Sequence, residues 1–157
     1  MTELAPGDTA PGFELPGGAA GTVRLADFRG KVVVLFFYPQ DGTETCTAEA
    51  VDFSGLLPAF AAAGAVVIGV SPDSPKKHDK FKAKHRLGQF LASDEDLRTA
   101  RDYGVWGEKM LFGRKYMGVV RSTFLIDRIG RIVRIWRGVR VRGHAAEVLQ
   151  AAREIAP

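Results

Sequence analysis

Cysteine is nearly absent, Cys46 being the single one among 157 residues. That count excludes an internal disulfide, and no internal dithiol can cycle. As plain structure, a lone cysteine is a small buried hydrophobe, so only its neighbours can give it chemistry. Histidine is scarce as well, and His78, His85 and His144 stand at no metal-ligand spacing. No carboxylate cluster suggests a metal site either, because Asp94-Glu95-Asp96 reads as a charged helix start; no metal is expected. Long apolar runs are missing too. The longest, Val32 to Tyr38, is far too short to span a bilayer. The opening MTELAPGDTAPGF has no basic n-region and no apolar h-region, so no secretory signal is expected. A cytoplasmic protein without a membrane partner is the default reading.

Acidic residues are missing from one stretch in particular. Residues 109–142 carry ten Lys or Arg against one acidic residue, Asp127, a local charge of +9 in a chain of net charge +4. The remainder is therefore about −5. Such a segment attracts nucleic acid or anionic substrates. No nucleic-acid motif accompanies it, so the plain reading is a solvated face of a two-stranded edge, with no nucleic-acid partner. The chain is 46% hydrophobic and 25% charged, enough apolar material for a sizeable core, and its length fits one domain, 1–157.

The pattern of elements is legible in order. Gly17-Gly18 and Gly21 mark the turn of an N-terminal β-hairpin, with Phe13 to Leu15 and Thr22 to Arg24 as strands. Lys31 to Tyr38 lacks polar alternation and is β-branched and aromatic, as a central strand buried on both faces should be. Pro39 ends it. Thr43 opens a helix to about Phe53, which is interrupted at Ser54-Gly55, resumes from Leu56 to Ala63 and closes at Gly64. Ala65 to Val70 is a second buried strand, and Ser74-Pro75 starts a helix to about His85. Phe90 to Ala92 is a short strand, and Ser93 with Asp96 reads as a capping box for a helix from Leu97 to Tyr103. Thr123 to Asp127 and Arg131 to Trp136 pair through the turn Arg128-Ile129-Gly130. An amphipathic helix, His144 to Ile155, closes the chain. This order describes an α/β protein, a mixed central sheet flanked by helices behind an N-terminal β-hairpin, which is the plan of the thioredoxin-like fold.

Ligand and catalytic groups of open α/β sheets gather beyond the carboxyl ends of the strands. Cys46 falls there, in the first turn of the helix that follows the central strand. The unpaired N–H groups of a helix start and the positive end of its dipole favour a thiolate over a thiol. A disulfide reductase would carry Cys-x-x-Cys here, whereas this chain reads Thr43-Glu44-Thr45-Cys46. A hydroxyl at Thr43 cannot form a disulfide, but it can hydrogen-bond an oxygen species bound one turn away. Dithiol exchange is excluded on stoichiometry, and peroxide positioning is allowed.

Pro39-x-x-x-Thr43-x-x-Cys46 resembles the active-site motif of the peroxiredoxins. With Thr43 to Glu49, Tyr103 to Lys109, Tyr116 to Asp127 and Trp136 to His144, the chain resembles the bacterioferritin comigratory (peroxiredoxin Q) branch, from roughly Leu4 to Ile155. The resemblance implies a thiol-dependent peroxidase that reduces hydrogen peroxide and organic hydroperoxides through a Cys46 sulfenic acid. It implies further that Thr43, Arg121 and the backbone N–H groups of Thr45 and Cys46 donate to the peroxide oxygens. Pro39 shields the sulfur, and Glu49 steadies Arg121. No cofactor is implied. A monomer is expected, with a dimer as the alternative.

The chain departs from the family pattern at three places. Glu44 and Thr45 stand where proline and glycine are usual, and Glu44 adds a negative charge two residues before the sulfur. Val51 stands where many relatives carry a resolving cysteine, and the next helix, Ser74 to His85, holds none. The expectation is a one-cysteine mechanism with an external thiol reductant: thioredoxin, glutaredoxin with glutathione, or a small thiol. Trp106 and Tyr116 are read as core packing rather than pocket lining. Two other functions stay open at this level: a binding module working through the basic segment, and a redox sensor or holdase.

Overall fold

Val32–Phe37 buries every one of its side chains because it lies at the centre of a five-stranded sheet. In the computed structural model, which describes residues 3–155, the strands are β1 (Glu14–Pro16), β2 (Thr22–Arg24), β3 (Val32–Phe37), β4 (Ala65–Ser71), β5 (Phe90–Ser93), β6 (Trp106–Leu111), β7 (Arg114–Val119), β8 (Ser122–Ile126) and β9 (Ile132–Arg137). The helices are α1 (Glu44–Gly55), α2 (Leu57–Ala62), α3 (Pro75–His85), α4 (Arg98–Asp102) and α5 (His144–Arg153). The central sheet runs β5-β4-β3-β8-β9, parallel through β5, β4 and β3 and antiparallel from β3 to β9. β1 pairs with β2, and β6 with β7, as separate antiparallel hairpins. The expected α/β architecture of a mixed sheet flanked by helices stands. No helix among the described residues is long and apolar enough to cross a membrane.

Successive side chains of a strand point to opposite faces, and β3 divides the core accordingly. Val32, Val34 and Phe36 face α1, α2, α3 and α5, meeting Ala50, Phe53, Phe60, Phe81 and Val148. Val33, Leu35 and Phe37 face the N-terminal hairpin and α4, meeting Phe13, Leu15, Val23, Ala100 and Tyr103. Phe36 stacks on Phe53 with ring centroids 4.7 Å apart, which seats α1 on the sheet. Gly69 of β4, opposite Phe36, makes room for that ring: a Cβ there would stand 2.6 Å from Phe36 Cζ.

Three local readings need correction. β6 and β7 form a hairpin that the sequence pattern does not announce, because its basic residues and half-exposed apolar ones break the two-residue alternation of a half-buried strand. Ser93 and Asp96 form no capping box. Leu97 turns into the left-handed region (φ 63°) before α4, and Asp94 supplies the cap, its carboxylate accepting from Thr99 N–H (3.1 Å) and Ala100 N–H (2.8 Å). Tyr116 is exposed on the hairpin rather than packed in the core, whereas Trp106, half-buried, does pack against the core on the N-terminal-hairpin side of the sheet.

His144 ties α5 to the sheet. Its Nε2 lies 2.7 Å from Thr123 Oγ1, and its ring packs edge-on against Phe53 and Trp136. Burial, partly countered by Glu147 and reinforced by Arg121 and Arg134, pushes its imidazole down to about 4. An unfolded histidine binds its proton near pH ~6.5, so on acidification the unfolded chain takes up this proton first. The stability contributed by neutral His144 is complete above pH ~6.5 and is lost as pH falls to about 4. His144→Gln keeps a hydrogen-bonding group without a titrating ring. It should flatten this part of the curve of urea midpoint against pH; a variant curve parallel to wild type over that range would refute the assignment.

Candidate active site

The site begins where β3 stops. Tyr38 N–H still donates to Val70 O (3.1 Å), and Pro39 then ends the pairing. Gly42, at φ 84°, reverses the chain through a conformation that side chains rarely adopt. Thr43 leads into α1 with extended backbone. Thr47 N–H donates to Thr43 O (2.9 Å) to begin the helical ladder, so the amides of Thr45 and Cys46 precede it. Cys46 sits in this first turn, 2% exposed and packed among the helix-side core residues. Thr43 and Thr45 are exposed, and so is Glu44, whose charge lies in water where it is screened. The Thr43 hydroxyl caps no amide; it donates to Gln40 O at 3.1 Å.

Arg121 reaches this turn from the adjacent strand, on the same face of the sheet as α1. It directly precedes β8, which pairs with β3 so that Ser122 stands opposite Phe37. That register brings the carboxyl end of β3 and the start of β8 together. The guanidinium donates through Nη1 to Glu49 Oε1 (2.7 Å) and through Nη2 to Cys46 Sγ (3.2 Å). Glu49 is buried, three residues past Cys46 on the same face of α1, which excludes its being a plain solvated helix residue. Burial pushes its carboxyl up to about 7, with Arg121 pulling the other way. At Arg121 burial favours the neutral form, but Glu49 and Cys46 outweigh it and hold the guanidinium above its ordinary value. Burial wins at the carboxylate; pairing wins at the cation.

Sequence reasoning singled out no role for Lys109 and none for a buried polar network beside the loop. Lys109 Nζ donates to Val119 O (3.0 Å). Burial and the neighbouring Arg121 lower its pKa while Cys46 raises it, so it shares the field of the site. Behind the Pro39–Gly42 loop, Tyr38 donates to Asp41 Oδ1 (2.5 Å), and Asp41 Oδ2 faces His78 Nδ1 (2.5 Å). Asp73 accepts from Asp41 N–H and from Ser71 (2.6 Å each). The carboxylates thus pin the loop to β4 and α3. Asp41, Asp73 and His78 do bring ligand-type atoms together, where sequence spacing suggested no cluster, but those atoms are engaged with one another and their neighbours. The helical spacing of His78 with Phe81 was the available signal, and distance along the chain hid its partner.

The AhpC/TSA family pattern matches residues 6–135. The chain belongs to the AhpC/TSA family. Within it, the chain is 49% identical to peroxiredoxin Bcp of Bacillus subtilis over 149 residues, 95% of each chain. It is 43% identical to peroxiredoxin Bcp of Xanthomonas campestris over 155 residues, 96% of each. Among solved structures it is similar to a Xylella fastidiosa PrxQ variant, with TM-score 0.90, 38% identity and 96% of both chains covered. A Xanthomonas campestris peroxiredoxin Q gives TM-score 0.85 and 41% identity over 96% of this chain and 95% of that one. The peroxiredoxin is a thiol peroxidase of the bacterioferritin comigratory type with a thioredoxin-like fold.

The Glu49 carboxyl supplies a measurable pH signature. Its folded value of about 7 lies above its ordinary value of 4.5, so the folded state holds the proton more tightly. Its contribution to stability is complete below pH ~4.5 and is lost as pH rises through about 7. Glu49→Gln removes that titration while keeping an acceptor for Arg121. Relative to wild type, the variant should gain stability between pH ~5 and ~7, read as the difference in urea midpoints. A constant difference across that range would refute it.

Proposed function

We propose that the peroxiredoxin, a single domain over residues 1–157 and a cytoplasmic monomer, reduces hydrogen peroxide and organic hydroperoxides by a one-cysteine cycle. Cys46 thiolate attacks one peroxide oxygen. The O–O bond breaks, water or an alcohol leaves with a proton, and the sulfur becomes a sulfenic acid. An external thiol then condenses with the sulfenic acid, releasing water, and a second thiol equivalent frees Cys46 and leaves a disulfide on the reductant. The observation that carries this reading is the 3.2 Å donation from Arg121 Nη2 to Cys46 Sγ. A charge-assisted donor at the sulfur stabilises its anionic form and stands beside the oxygens on which charge develops.

The remaining roles follow from placement. The amides of Thr45 and Cys46 at the start of α1 supply further donors to a developing oxyanion. The Thr43 hydroxyl donates to Gln40 O in the resting site and turns to donate to a peroxide oxygen when substrate binds. Pro39 limits water at the sulfur, and Glu49 fixes the rotation of the guanidinium. With Cys46 the only cysteine, resolution falls to thioredoxin, glutaredoxin with glutathione, or a small thiol. The relation to the Xanthomonas campestris bacterioferritin comigratory protein, described for its alkyl peroxide reduction activity, supports organic hydroperoxides as substrates.

The test is the rate of Cys46 oxidation by hydrogen peroxide and by an organic hydroperoxide. Arg121→Ala and Thr43→Val should each slow it by about 10²–10³-fold, as for loss of one oxyanion donor, while Thr43→Ser restores most of the rate. Intact mass after one equivalent of peroxide should show a monomeric sulfenate that forms a mixed disulfide with added thiol. An unmodified Cys46, or wild-type rates in both variants, would overturn the proposal.

A further inference from the structure

The +9 segment noted in the sequence is not consumed by the peroxide chemistry, which uses only Arg121 from it. Of its nine other cations, five flank the site on two sides. β6 and β7 carry Lys109, Arg114 and Lys115 against Glu108, and β7 leads through Val120 directly into Arg121. On the other side the loop after β9 holds exposed Arg140 and Arg142, and its Val139 N–H donates to Arg121 O (3.0 Å). Both basic arms are therefore attached to the residue that holds Cys46.

The hairpin is also apolar where folding gives it no reason to be. Eight large apolar side chains are conspicuously exposed among the described residues, and five of them, Met110, Leu111, Phe112, Tyr116 and Met117, lie on this one hairpin. Phe112 is 96% exposed and adopts φ 51°, with Gly113 following at φ 76°. A two-residue turn with both central residues at positive φ favours Asn-Gly, and a bulky aromatic there is an outlier that suggests function. An exposed, strained phenylalanine between basic strands anchors something outside the chain.

We infer that the β6–β7 hairpin and the Arg140–Arg142 loop form the docking surface for an acidic dithiol protein that reduces the Cys46 sulfenic acid. The inference rests on the one-cysteine reading, because only an external thiol can then complete the cycle. Cations around an apolar anchor steer and fit an acidic protein surface. A hairpin on the order of 20 Å long spans a protein partner, whereas a small thiol needs no such arm. One partner thiol condenses with Cys46–SOH to give the mixed disulfide and water. The partner's second thiol attacks its own bridged sulfur, leaving Cys46 reduced and the partner as an internal disulfide.

Full-length wild type, Phe112→Asn, Arg114→Glu and Arg140→Glu are oxidised with one equivalent of peroxide. Each sulfenate is then reduced with dithiothreitol or with an acidic bacterial thioredoxin. Asn suits the left-handed turn, so Phe112→Asn keeps the hairpin. Oxidation and dithiothreitol reduction should match wild type, whereas the thioredoxin reaction should slow at least about tenfold in each variant. Its rate should fall with salt in wild type and less so in the charge variants. Wild-type thioredoxin rates in the variants, or a wild-type sulfenate that dithiothreitol reduces and thioredoxin does not, would overturn the docking surface alone. Retention on phosphatidylglycerol vesicles, or a dimer on size exclusion, lost in Phe112→Asn with the thioredoxin rate unchanged, would overturn it in favour of lipid or a second copy. Failure of wild type to form a sulfenate at all would refute the peroxidase reading beneath it.

Discussion

One guanidinium holds the site together. Arg121 spans Glu49 and Cys46, joining α1 to the start of β8, and that bridge exists only because the sheet brings the ends of β3 and β8 side by side. A buried carboxylate alone resists ionising, and a buried guanidinium alone resists desolvation. Each is tolerable because of the other and because the sulfur gives the cation a second acceptor. The arrangement adds little to stability while fixing where positive charge sits, which is what a reaction that develops negative charge requires.

The loop before α1 is held with comparable care. Pro39 and Gly42 shape it, and Asp41 anchors it through Tyr38, His78 and Asp73 to the neighbouring strand and helix. The Phe36–Phe53 stack, made room for by Gly69, seats the helix from below. Cys46 is therefore positioned by packing on one side, a polar network on the other and an ion pair that ties α1 to the start of β8. Placing a side chain on rigid elements in this way limits reorganisation during the chemical step.

Around this centre the charge is divided by task. Glu49, Asp41 and Asp73 are turned inward to position groups, while Arg114, Lys115, Arg140 and Arg142 face water on the hairpin and the loop after β9. Lys109 is instead bent back toward Val119 O and the site. The same stretch thus sets one cation against Cys46 and others on the surface.

Local chemistry alone determined much of this protein. The all-apolar run of β3, the Ser74-Pro75 helix start and the helical spacing of Val148, Leu149 and Ala152 were legible because each expresses a short-range preference. The meeting of Cys46, Arg121 and Glu49 was legible through their resemblance to a family. Tertiary structure decided the rest, for reasons of distance and environment. Asp41 and His78 lie 37 residues apart, and no sequence period links them. Leu97 takes a left-handed turn because Asp94 caps the next helix from a place fixed by β5. The β6–β7 hairpin shows no strand alternation because most of it stands in water on both faces, where a two-residue pattern has no core to point at; only its base, Trp106 and Val119, packs on the core.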